Sequence, residues 1–208
     1  MKFLGTNFNL EESNVVVFGV PLGKNSLKAL ESLRRISHFV EPMDLDSEVN
    51  LLENVKTFDI ENIELDSLEK ITEQIKKILD MNKVPLMLGG NHLSSYYSVK
   101  AFSNVKLLVF DAHGDFKNSY EDEKIRDMNF VQGIKYDPKL CDATWLRRAS
   151  EVINPKNILL LGVRSCDEFE FNDLKASGIN FFTSRQMIEN TNEAVSYTHL
   201  TLPTTPYV

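Results

Sequence analysis

Short apolar runs rich in β-branched residues recur along this chain, and each has the length of a single strand. The clearest are 15–20, 84–88, 105–110 and 158–163, with weaker ones at 55–60 and 179–182. Amphipathic helical patterns separate them, most clearly at 67–81. Strands that alternate with helices favour a parallel sheet, because parallel neighbours need a crossover connection. We therefore predict an α/β fold in which a mostly parallel sheet, made of buried strands, is sandwiched by helices.

Composition and charge disfavour several classes of function. A chain of 208 residues that is 42% apolar can bury one sizeable core, so a single domain is the default. Its net charge of -7 and its scattered basic residues disfavour nucleic acid as a partner. No apolar run approaches a signal peptide or the roughly 20 residues of a membrane span. We expect a cytoplasmic protein without a membrane partner.

The chain contains two cysteines, Cys141 and Cys166. Two cysteines are too few for a disulfide framework and fit a reducing compartment. We predict that both are buried thiols outside any disulfide.

The sequence DAHGD directly follows the apolar run at 105–110. It places Asp111, His113 and Asp115 at the carboxyl end of a predicted strand, with a spacing of two. Alternate side chains of an extended backbone point to the same side, so the three can converge. Ligands bind beyond the carboxyl ends of strands in such sheets, so this is where a site is expected.

A second motif, GGNH, follows the run at 84–88. Gly89 and Gly90 allow a tight turn before the next helix, and His92 then lies at the end of a second strand. Neither motif is a phosphate-binding loop, because the chain has no GxxxxGK[ST] or GxGxxG pattern.

The two motifs together offer imidazole nitrogens and carboxylate oxygens. This mixture suits manganese or zinc, whereas magnesium and calcium prefer oxygen alone. Clustered carboxylates repel one another unless cations neutralise them. A dinuclear metal centre resolves that conflict and can make water nucleophilic at neutral pH.

At these residues the chain resembles the ureohydrolase family of arginases, agmatinases and formimidoylglutamases, and it is most similar to the agmatinases. The similar segments are FGVPLG, ESLRRISHFVEP, VPLMLGGNHLSSYYSVKAF, DAHGD and LLLGVRSCDEFE. The resemblance implies the three-layer arginase-deacetylase-like fold, two Mn²⁺ ions, and hydrolysis of a small guanidino substrate to urea and an amine. It also implies a homo-oligomer, a trimer or hexamer.

The resemblance also assigns residues. His92 and Asp115 would hold one ion, His113 the other, and Asp111 would bridge them. The segment CDATWLRRAS resembles a family segment in which a histidine shuttles protons, and Asp142 stands in its place. Asn91 replaces the usual Asp or Glu, which we expect to affect only the surroundings of the metal ligands. Trp145 lies in a helical pattern, and we assign it to core packing.

The family's second cluster of metal-ligating aspartates has no match before residue 194. After Ala194 the sequence VSYTHLTLPTTPYV loses all charge and resembles a translated sequencing adapter. We predict that 1–194 is a partial ureohydrolase domain, incomplete at its C-terminus, and that 195–208 is a non-native tail. The 208-residue chain should then lack a complete site.

Two other functions remain open. One is a zinc-dependent deacetylase of the related fold, which also uses an Asp-x-His pair. The other is a catalytically inactive homologue with a binding or assembly role, suggested by Asp142 and the missing aspartate cluster.

Overall fold

The computed structural model describes residues 2–6 and 8–189. The predicted tail at 195–208 lies outside the described residues. The chain divides into two compact units: unit 1 is formed by Met1–Ala101 and Glu121–Asp137, and unit 2 by Phe102–Tyr120 and Pro138–Val208.

Unit 1 is built on a parallel three-stranded sheet. Its elements are β1 (Val15–Gly19), α1 (Ser26–Ser37), β2 (Met43–Asp44), β3 (Val49–Asn50), α2 (Leu51–Asn54), β4 (Thr57–Asn62), α3 (Glu69–Asp80), β5 (Val84–Leu88), α4 (Leu93–Val99) and α5 (Glu123–Met128). The strand order is β4-β1-β5, and β2 pairs with β3 in a separate antiparallel ribbon. Helix α3 packs against β5 and α4.

Unit 2 contains a second parallel sheet of three strands. Its elements are β6 (Leu107–Phe110), a 3₁₀ turn (Asp142–Thr144), α6 (Trp145–Val152), a second 3₁₀ turn (Pro155–Asn157), β7 (Ile158–Val163), α7 (Glu168–Ala176), β8 (Asn180–Thr183) and α8 (Ser184–Glu189). The strand order is β6-β7-β8, and α8 packs against β7 and β8. The predicted α/β class, with parallel strands flanked by helices, is confirmed.

The central strands β1 and β7 are buried along nearly their whole length. The prediction of burial was wrong for the outer strands β5 and β6, where Val84 is 59% exposed and Phe110 is 69% exposed. Each of these two strands pairs with one other strand among residues 2–6 and 8–189. A run of apolar residues predicts a strand but does not distinguish a central strand from an edge.

Helix α3 follows its predicted pattern. Ile71, Ile75 and Ile78 are buried on one face, and charged residues occupy the rest of the helix surface. Among residues 2–6 and 8–189, no helix has both the length and the apolar character needed to cross a bilayer.

Candidate metal centre

The DAHGD loop continues the pairing of β6 with β7. The Asp111 amide donates to the Leu161 carbonyl at 2.9 Å, and the Ala112 carbonyl accepts from the amides of Arg164 and Ser165 at 2.9 and 3.0 Å. The loop therefore runs beside the segment that follows β7, and its backbone position depends on that segment.

Gly162 makes room for this arrangement. Its φ of +94° lies in the left-handed region, and a Cβ at this position would lie 3.3 Å from the Asp111 carbonyl oxygen. Both the conformation and the close approach favour glycine. A residue in β7 thus helps to fix where Asp111 lies.

The structure brings two of the three predicted ligands of this loop, Asp111 and Asp115, close together, and it places His113 beside Asp111. One Asp111 carboxylate oxygen lies within 4.8 Å of one from Asp115. The His113 Nδ1 atom is 3.5 Å from Asp111 Oδ1, while the His113 side chain is 65% exposed. Asp111 Oδ1 also accepts the His113 amide hydrogen at 2.9 Å. Two carboxylates this close, with an imidazole beside one of them, are ligand types that fit manganese or zinc.

Asp115 reaches this position differently from the prediction. Strand alternation was the expected reason, but Asp115 has a φ of 45°, so the backbone has left the extended conformation. Helix α6 holds Asp115 in place: the Trp145 indole Nε1–H donates to Asp115 Oδ2 at 2.9 Å, and the Leu146 amide donates to the Asp115 carbonyl at 3.2 Å. Trp145 is buried, as predicted, but it also contacts the candidate site.

Glu170 supports the loop from α7, and the sequence analysis assigned it no role. This buried carboxylate accepts the Phe116 amide hydrogen at 2.8 Å and lies 3.4 Å from Lys117 Nζ. A Cβ on Gly114 would lie 3.0 Å from Glu170 Oε1. Glu170 belongs to neither metal motif, and no sequence signal pointed to this contact.

Lys117 links this support to the start of α7. Its ammonium group is paired with Asp167, which caps α7 by accepting the Glu170 amide hydrogen. That capping bond and then the Lys117 hydrogen bond hold the pKa of Asp167 below its ordinary value. Partial burial is the largest single influence and acts to lower the pKa of Lys117, but the hydrogen bond that Lys117 donates to Asp167 and the negative charges of Glu170 and Asp167 together outweigh it, so that pKa is raised.

Asp142 begins the 3₁₀ turn that precedes α6. Its side chain is half-buried, and Oδ1 accepts the Ala143 amide hydrogen at 3.0 Å. The preceding residue, Cys141, is fully buried. The role of Asp142 as a proton carrier stays a prediction.

His92 lies in unit 1, directly before α4, and is half-buried. Its side chain makes no capping hydrogen bond; Asn91 Oδ1 instead accepts the Leu93 amide hydrogen at 2.7 Å. The Asn91 amide nitrogen donates to the Met128 carbonyl and to Asn129 Oδ1, each at 3.0 Å. An Asp or Glu could not make these two donations, which explains why this chain has an amide at position 91.

The cysteine prediction was half right. Cys141 is buried, but Cys166 is exposed in the segment after β7, and the two do not form a disulfide. Partial burial, followed by the negative charges of Glu170 and Asp167, raises the pKa of the Cys166 thiol. A raised pKa disfavours the thiolate, so Cys166 is poorly suited to act as a nucleophile.

Comparison with known proteins shows the family to which this chain belongs. Residues 13–202 match the Arginase family. This chain belongs to the arginase family. Among curated relatives of the family, an agmatinase from Bacillus cereus is 32% identical over 198 residues, which cover 86% of this chain and 62% of the relative. An arginase from Bacillus subtilis is 25% identical over 182 residues.

Solved structures support the fold. The agmatine ureohydrolase of Thermoplasma volcanium superposes with a TM-score of 0.76 at 24% identity, covering 96% of this chain and 67% of that one. A formiminoglutamase from Trypanosoma cruzi has a TM-score of 0.73 at 15% identity, covering 96% of this chain and 70% of that one. The chain spans about 62% of the length of the Bacillus cereus agmatinase.

Proposed function

We propose that the full-length protein, meaning this chain continued to the length of its relatives, is a binuclear manganese hydrolase of the agmatinase type. It would cleave a guanidino C–N bond and release urea. The observation that carries the proposal is the closeness of the Asp111 and Asp115 carboxylates within a loop that lies inside the family match. Membership of the arginase family supports the same chemistry.

Four residues of this chain would hold the metal ions. Asp111 would bridge the two ions, His113 would bind one, and Asp115 together with His92 would bind the other. The remaining ligands would come from the part of the protein that this chain does not span. Mn²⁺ suits this mixture of imidazole and carboxylate.

The chain's own residues would then orient the reaction. A bound metal pair supplies water that is nucleophilic at neutral pH. The water oxygen would form a bond to the guanidino carbon, the bond from carbon to the amine nitrogen would break, and a proton would pass to that nitrogen. Asp142 would carry this proton.

The same proposal implies a substrate class, a cellular location and an oligomeric state. The partner is a small guanidino compound such as agmatine, with neither nucleic acid nor membrane involved. We also propose a cytoplasmic location and a homo-oligomer, a trimer or hexamer.

The test is urea release from the Mn²⁺-loaded full-length protein with agmatine, arginine and guanidinobutyrate. We expect urea from at least one of them, and an Asp142→Asn variant should bind metal normally but turn over more slowly. Folded protein that binds two Mn²⁺ ions yet releases no urea from any compound would contradict the enzymatic proposal. That result would instead favour the inactive homologue, for which Asp142 is the motivating residue.

A further inference from the structure

Asp115 is held by two consecutive residues of one helix. Trp145 donates its indole hydrogen to the carboxylate at 2.9 Å, and Leu146 donates its amide hydrogen to the carbonyl at 3.2 Å. The Leu146 amide lies in the first turn of α6, where backbone donors have no partner within the helix. Asp115 therefore receives one bond on its side chain and another on its backbone from the start of α6.

The backbone of Asp115 needs this support. A non-glycine residue with a φ of 45° is uncommon and persists only where its surroundings hold it in that conformation. The Leu146 hydrogen bond fixes the backbone, and the indole bond restrains rotation of the carboxylate. The two bonds together set the direction of the Asp115 side chain.

The indole is suited to this task. Trp145 is 2% exposed, so its ring is locked by packing. An indole N–H only donates and does not ionise in the range where proteins are stable, so the bond does not depend on pH. A hydrogen bond to a carboxylate ligand from a neutral donor orients the ligand without adding charge beside the metal.

We propose that Trp145 is a positioning residue for the metal centre, acting through Asp115. This inference rests on the proposed function, because it takes Asp115 as a metal ligand. Trp145 contacts neither substrate nor metal in this account. Its indole N–H holds the Asp115 carboxylate in one orientation, in which that carboxylate would bind a metal ion.

The test separates the hydrogen bond from the bulk of the ring. In the full-length protein, position 145 is replaced either by Phe (Trp145→Phe) or by 3-benzothienylalanine, in which sulfur replaces the N–H and the ring shape is kept. Mn²⁺ affinity is measured by calorimetric titration, and the coupling of the bound ions by electron paramagnetic resonance. Unfolding of the metal-free protein is measured in parallel.

We expect both replacements to weaken Mn²⁺ binding by about 10- to 100-fold, the usual effect of losing a hydrogen bond to a metal ligand. The benzothienyl variant should unfold at the same temperature as the unmodified protein when metal-free. Ser177→Ala serves as the control, because it removes hydrogen bonds at the far end of α7 from Glu170 and should leave Mn²⁺ affinity unchanged.

Unchanged Mn²⁺ affinity and an unchanged resonance spectrum in the benzothienyl variant would overturn the inference while leaving the proposed function intact. An unmodified full-length protein that binds no Mn²⁺ would overturn both.

Discussion

Among the described residues, each unit buries one carboxylate that accepts at least one backbone hydrogen bond and lies close to a basic side chain. In unit 1, Asp59 accepts from the amides of Phe3 and Glu61 and forms a two-point pair with Arg34 at 2.8 and 3.1 Å. In unit 2, Glu170 accepts from Phe116, next to the candidate ligand Asp115. The same interaction joins secondary-structure elements in unit 1 and supports a candidate metal loop in unit 2.

The largest expected effect is on the unit 1 pair. Arg34→Met leaves the Asp59 carboxylate buried without its cation, which should destabilise the fold by about 3–5 kcal/mol. Denaturant unfolding measures this. The neighbouring exposed arginine is the control, and Arg35→Met should change stability by less than about 0.5 kcal/mol. If Arg34→Met and Arg35→Met lowered the free energy of unfolding equally, the buried ion pair would contribute no more to stability than an exposed arginine does.

Glu170→Ala tests the role of the buried carboxylate in unit 2. It leaves the Phe116 amide without its charged acceptor, for an expected loss of about 1.5–3 kcal/mol. Unlike Arg34→Met, it should also weaken Mn²⁺ binding in the full-length protein, because it loosens the loop after Asp115. Glu168→Ala, an exposed acid of the same helix, should do neither. If Arg34→Met and Glu170→Ala affect Mn²⁺ binding alike, the two carboxylates do not differ in role.

A smaller effect is expected at the GGNH loop. Asn91→Asp removes both donations to Met128 and Asn129 and places a carboxylate near two oxygens, at a cost of about 1–2 kcal/mol. The matched control is Asn118→Asp, because Asn118 accepts a hydrogen bond from Arg148 and the substitution keeps an acceptor there. Thermal unfolding compares the two. A destabilised Asn118→Asp with an unchanged Asn91→Asp would contradict the assigned contacts.

The smallest effects are on how stability depends on pH. Asp59 in unit 1 should lose its contribution as pH falls, and Lys117 in unit 2 should lose its contribution as pH rises. Burial alone would raise the pKa of Asp59, but the hydrogen bonds from Arg34, Phe3 and Glu61 together outweigh it, so the folded value lies below the ordinary 3.8. Its contribution is present above that pH and is lost as pH falls through the folded value. The pKa of Lys117 is raised from 10.5, so its contribution is lost as pH rises beyond that value.

Unfolding measured from pH 2 to 11 tests these signs. Asp59→Asn should flatten the acid side of the profile, and Lys117→Met should flatten the alkaline side. If Asp59→Asn instead changed the alkaline side and Lys117→Met the acid side, these groups would not titrate as their contacts indicate.

Local patterns predicted the strands, the α/β class and the two motifs, because each depends on residues close in sequence. The contacts that hold the DAHGD loop in place were not predictable in this way. Trp145, Gly162 and Glu170 contact residues 111–116 from positions that are at least thirty residues later in the chain. No spacing rule relates a helix residue to a loop so distant in sequence.

Two errors have the same origin. The exposure of Val84 and Phe110 depends on the number of partner strands, and the exposure of Cys166 depends on where the segment after β7 runs. Hydrophobicity describes each residue but not its neighbours in space. The motif at 111–115 was found because its chemistry is local, although its left-handed residue, Asp115, was not foreseen.

The central claim is that Asp111 bridges a pair of metal ions. Its most direct test is the Mn²⁺ stoichiometry of the full-length protein and of its Asp111→Ala variant, measured by metal analysis after gel filtration. We predict two ions per chain in the unmodified protein and loss of metal binding in the variant, with both proteins folded. Two ions per chain in folded Asp111→Ala would contradict the claim.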